Sequence, residues 1–160
     1  MITKEDLISL FRKEFATTLR VMHAYPSDKM EFAPHERSQQ AKRLMATFIF
    51  EMYLMRAYIF GETVERSAFQ QYAKETLDEI IADFEKETAG VIDRVQNLAQ
   101  DDFRKEVKFG GATFTADRFA MMMLFDQIHH RGQLSVYVRL AGGKVPSIYG
   151  PSADDSSTNL

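Results

Sequence analysis

The sequence predicts an all-α chain folded as a four-helix bundle with long connections and an irregular C-terminal arm. Three observations carry that prediction. Four segments repeat apolar residues at helical spacing, the segments are bounded by capping or breaking residues, and no segment of useful length alternates with the period of a strand. At 160 residues, 45% hydrophobic and 27% charged, the chain is long enough to bury one core and is proportioned like an ordinary globular domain.

The first helix is expected from Thr3 to His23, with Leu7, Phe11, Phe15, Leu19 and Met22 on one face. Thr3 is its N-cap, Glu5 and Asp6 occupy the favourable first turn, and Pro26 stops it. The second is expected from Ser38, as N-cap, to Phe60 before Gly61. Its apolar stretch Leu44 to Phe60 is interrupted by Thr47, Glu51 and Arg56, which marks a core helix and not a membrane span.

Only about six residues then lead to the third helix, which makes helices two and three antiparallel neighbours. It opens with Ser67-Ala68-Phe69-Gln70, a capping-box pattern, and continues its stripe through Ala73, Leu77, Ile80, Ile81, Phe84, Thr88, Val91 and Val95.

The connections Tyr25–Arg37 and Ala99–Phe114 are each long enough to run the length of a bundle. Within the second, Val107 to Phe114 around Gly110-Gly111 has the pattern of a small hairpin. The fourth helix starts near Thr115 and ends before Gly142-Gly143; the run Met121 to Phe125 makes it apolar nearly all round, as expected of the most central helix. Beyond it Pro146, Gly150 and Pro151 forbid further helix, and Val145, Ile148 and Tyr149 are placed to pin an arm against the bundle. The domain reading is one bundle including the arm over residues 1–152 and a flexible acidic tail over 153–160.

A formal net charge of −3, with no run of more than two cations, offers neither nucleic acid nor an anionic membrane a general attraction. The absence of cysteine excludes disulfides, thiolate catalysis and Cys-ligated zinc. The N-terminus opens with helix-start residues where an export signal would place an apolar core, so a cytoplasmic location is expected.

Chemistry concentrates in Phe125-Asp126-Gln127-Ile128-His129-His130-Arg131-Gly132-Gln133-Leu134. Ionisable groups on an apolar helix are costly unless paired or bound to metal. Asp126 and His130 stand at i and i+4, so they project from one side and are spaced either to chelate one divalent ion or to form a hydrogen-bonded ion pair. His129 points about 100° away and reads as a core or interface residue. Arg131 and Gln133 are suited to an anionic substrate group or to holding the arm, with the structural role favoured by arginine's several donors. No nucleophile elbow, phosphate loop, dinucleotide fingerprint or H-E-x-x-H motif is present.

The run His129 to Leu134, then Arg139-Leu140-Ala141-Gly142, then Val145 to Ser152, resembles the C-terminal signature of the DinB/YfiT-like proteins. Pro34-His35-Glu36-Arg37-Ser38 resembles the family segment that leads into helix two. The resemblance implies a four-helix bundle, often a homodimer, holding a divalent metal through three histidines, one on helix two and two at i, i+4 on helix four. It also implies small-molecule chemistry, since characterised relatives include transferases and isomerases that use low-molecular-weight thiols.

Here that triad is degenerate. His130 matches the second histidine of helix four, Asp126 stands at the first, and Thr47 falls at the helix-two position. Glu51, one turn beyond Thr47, is placed to supply a second carboxylate, which suits zinc, nickel, iron or manganese. The expected metal site is therefore Glu51, Asp126 and His130 with Thr47 beside them. Two functions follow: a divalent-metal enzyme of transferase or hydrolase type acting on a small molecule, or a non-catalytic dimeric binding or stress-related scaffold that has lost the metal.

Overall fold

The computed structural model describes residues 3–63, 65, 67 and 76–154. Among them four long helices, α1 (Lys4–His23), α2 (Ala41–Phe60), α3 (Leu77–Asn97) and α4 (Ala116–Leu140), accompany one hairpin, β1 (Glu106–Phe109) with β2 (Ala112–Thr115). Thr3 caps α1 in a reciprocal box with Asp6, and Gly61 ends α2 in the left-handed conformation at φ 73°. The hairpin pairs Phe109 with Ala112 across Gly110 and Gly111, both at positive φ, as a two-residue turn of right twist requires.

Expectations about individual helices change in three places. Ser38 does not cap α2, which starts at Ala41; its first N–H groups are met by the preceding loop, where Phe32 and Met30 carbonyls accept from Ala41 and Lys42. The capping pattern at Ser67 to Gln70 lies largely outside the described residues, while α3 begins at Leu77 with a complete Thr76–Glu79 capping box. Nor is α4 the wholly buried centre: Phe125, Val136 and Leu140 are exposed and Met121 and Met122 half-buried, because only one side of this helix faces the core.

Cross-bundle contacts give the helix directions. Lys4 bonds the carbonyls of Gln96 and Leu98 while Phe15 stacks edge-on against Phe84, so α1 and α3 run antiparallel. Tyr137 bonds Gln39, His130 meets Glu51 and Phe119 meets Tyr58, so α2 and α4 are also antiparallel. In contrast, Phe48 meets Phe84, Arg56 meets Glu87 and Glu62 meets Arg94, which makes α2 and α3 parallel neighbours. The short-linker argument for an antiparallel pair fails because α3 starts at Leu77, well beyond Ser67. Conversely Tyr25–Arg37 and Ala99–Phe114, long enough to run the bundle's length, cross its ends between antiparallel helices.

Leu7, Phe11, Leu44, Phe48, Met52, Ile80, Phe84, Phe119, Leu134 and Val138 share one core at 0% exposure. No helix among the described residues is long and apolar enough to cross a membrane.

Candidate metal centre

The α2/α4 seam carries the site. Glu51 lies on the buried side of α2, 1% exposed, and faces His130 half-way along α4. His130 Nδ1 and Glu51 Oε1 are 2.7 Å apart and share a proton. Asp126, one turn before His130, is exposed at the mouth of the seam, and the three residues each offer a ligand atom within 4.8 Å of the others. The expected grouping of Glu51, Asp126 and His130 is therefore met in space. The ion-pair alternative takes a different form: His130 pairs with Glu51, not Asp126, because α2 delivers its carboxylate directly onto the ring.

Thr47 sits one turn before Glu51, half-buried, and its hydroxyl donates to the Arg43 carbonyl at 3.1 Å. His129 is exposed and bonds Gln133 at 3.0 Å, so of its two expected places, core or interface, the core is not found.

Burial pushes the Glu51 carboxyl up to about 7, against the opposing hydrogen bond and charge of His130. The His130 imidazole is raised in turn, chiefly by its hydrogen bond to Glu51. Both shifts favour keeping a proton between the two groups, the place a cation would take. Two carboxylates and an imidazole form a recognised donor set for divalent first-row ions. Glu51 Oε2 is buried with no hydrogen-bond partner, an acceptor left open on the same carboxylate. The residues present fit a metal ion.

Arg131, the next residue on α4, faces the other seam. It is 1% exposed, pairs with Glu14 of α1 at 2.7 Å, and also donates to the Glu14 carbonyl at 3.0 Å. Tyr149 completes the cluster by donating to the Glu14 carboxylate at 2.7 Å, with its ring against the guanidinium. This is the structural role expected for Arg131. Val145 is buried, and Asp154 accepts from Val145 N at 3.1 Å and from Arg139 at 2.8 Å, so the arm is tied down at both ends.

Sequence reasoning missed Gln127. It lies in the core stripe Ala120, Met123, Gln127, Arg131, Leu134, Val138, all buried, and an amide in the middle of such a stripe was the available signal.

The DinB family model matches residues 1–159. The chain belongs to the DinB family. A crystal structure of a DinB-like protein from Bacillus cereus ATCC 10987 shares the fold, with TM-score 0.81 and 17% identity, over 91% of this chain and 97% of that one. The mycothiol-dependent maleylpyruvate isomerase is more distant, with TM-score 0.64 and 15% identity over 89% of this chain and 62% of that one. In sequence, the uncharacterized protein YrdA of Bacillus subtilis strain 168 is 36% identical over 52 residues, a match spanning 32% of this chain and 31% of YrdA.

Proposed function

We propose that this DinB-family protein is a metal-dependent enzyme of transferase or hydrolase type, acting on a small molecule at the α2/α4 seam. The observation that carries the reading is the Glu51 carboxylate, 1% exposed, against His130 and Asp126, with its second oxygen unpartnered. Glu51, Asp126 and His130 would hold the ion, which supplies Lewis acidity toward a carbonyl or an activated nucleophile when bound. Exposed Asp126 leaves the site open on the solvent side, where a substrate enters, while the α2 wall excludes water from Glu51. Zinc, nickel, iron and manganese all accept this donor set. A low-molecular-weight thiol as co-substrate is supported by the fold shared with a mycothiol-dependent isomerase, and a cytoplasmic setting suits such a thiol.

Plasma mass spectrometry on untagged protein purified without chelator tests it. Near one divalent ion per chain is expected, and its loss in Asp126→Asn and in His130→Ala. Metal retained by Asp126→Asn would sink the ligand assignment. A parent that takes up none of the four ions would favour the second reading, a non-catalytic scaffold, which the direct Glu51–His130 bond supports.

A homodimer belongs to this proposal. Phe125, Val136 and Leu140, exposed on one side of α4, form an apolar strip that a second copy would cover. Sedimentation at the single-chain mass at micromolar concentration would contradict it.

A further inference from the structure

Among the described residues, the buried side-chain polar atoms without a partner are Glu51 Oε2, Gln127 Nε2 and Gln127 Oε1. Buried polar groups are ordinarily satisfied, and each exception calls for a reason. Gln127 is 0% exposed, on α4 between Asp126 and His130 in sequence, and the N–H side of its amide reaches toward Glu51, where it favours the charged carboxylate. The unmet Glu51 oxygen and the Gln127 amide are therefore neighbours, on the helix turn that carries Asp126 and His130.

We propose that the Gln127 amide oxygen is a further donor to the ion held by Glu51, Asp126 and His130, with Glu51 contributing both oxygens. This rests on the metal reading above. The assignment makes the set rich in oxygen, with a single imidazole nitrogen. Carboxylate and amide oxygens suit manganese(II), which favours higher coordination numbers, over zinc(II), which is content with four ligands. A neutral amide also adds a donor without placing another negative charge beside a buried carboxylate.

Zinc outranks manganese in absolute affinity at most sites, so the ratio of the two is the readout. Manganese(II) and zinc(II) are titrated calorimetrically into the full chain and into Gln127→Met, which conserves volume and removes the amide. Manganese affinity is expected to fall about tenfold or more and zinc affinity by less than about threefold. The manganese paramagnetic resonance spectrum should change in parallel. Gln127→Asn, which keeps an amide but shortens its reach, is the second variant and should show the same selective loss. Unchanged manganese affinity in either variant, or equal losses for both ions, would overturn the assignment and give the amide to an internal water instead. A parent that binds neither ion would instead remove the metal reading itself.

Discussion

Two buried glutamates face consecutive residues of α4, and they are treated in opposite ways. Glu14, on the α1 seam, is held by two donors: Arg131 and Tyr149 each reach the same carboxylate oxygen at 2.7 Å. Glu51, on the α2 seam, receives one imidazole and keeps an oxygen unmet, next to an amide that is unmet on both atoms. A buried charge matched by a guanidinium is a clamp, since nothing further can bind it without displacing a strong pair. A buried carboxyl left partly unmatched, and driven up to about 7 by its burial, is poised to exchange a proton or a cation. The contrast separates the seam that holds the bundle together from the seam proposed as the metal site.

Breaking the clamp should produce the largest effect. Arg131→Met leaves Glu14 buried without its cation, and about 3–5 kcal/mol of stability should be lost in urea unfolding. Adding Glu14→Leu should recover most of that, because the pair as a whole is replaced by apolar contact. Failure of the double variant to recover would mean that the clamp's value lies in its geometry and not in charge compensation.

The second prediction sharpens the other half of the comparison. In metal-free protein, Glu51 is protonated more readily when folded than when unfolded, so its contribution is fully present below about 4.5 and is lost as pH rises through about 7. The loss is on the order of 3 kcal/mol. His130, also raised, contributes below its unfolded value near 6.5, and that contribution disappears as pH rises further. Denaturation midpoints of parent and Glu51→Gln should therefore diverge between pH 5 and 8, with the variant gaining relative to the parent on the alkaline side. Parallel profiles would show that the carboxylate is not held up as described.

The smallest effect concerns the strap. Tyr149→Phe removes one hydroxyl from Glu14 and should cost about 1 kcal/mol. Cleavage of the arm by trypsin at Lys144 should quicken, with metal content unchanged. A fall in metal content would show that the two seams are coupled through α4.

Much of the fold follows from short-range pattern. The Thr3 cap, the Gly61 stop, the hairpin across Gly110 and Gly111 and the start of α4 after Thr115 all depend on residues within four or five positions of one another, and all are found where the pattern puts them. Ser38 fails by the same logic, because a loop returning from Met30 and Phe32 supplies the bonds a cap would otherwise make. At the site, the i, i+4 pair of Asp126 and His130 and the carboxylate of Glu51 were legible as candidates. Gln127 was not singled out, since a polar residue in an apolar stripe acquires meaning only from what faces it.

By itself, then, the sequence determined the helices, their turns and the types of donor available, because backbone hydrogen bonds and caps close locally. Only the tertiary structure decided that His130 meets Glu51 and Arg131 meets Glu14, and that α2 and α3 run parallel. Those outcomes join positions 79 and 117 residues apart at the two α4 contacts, and they are set by how the faces of α1, α2 and α4 pack against one shared core. Adjacent residues on a helix point about 100° apart, so one step along α4 moves from the seam of the proposed metal site to the seam clamped by Arg131 and Glu14.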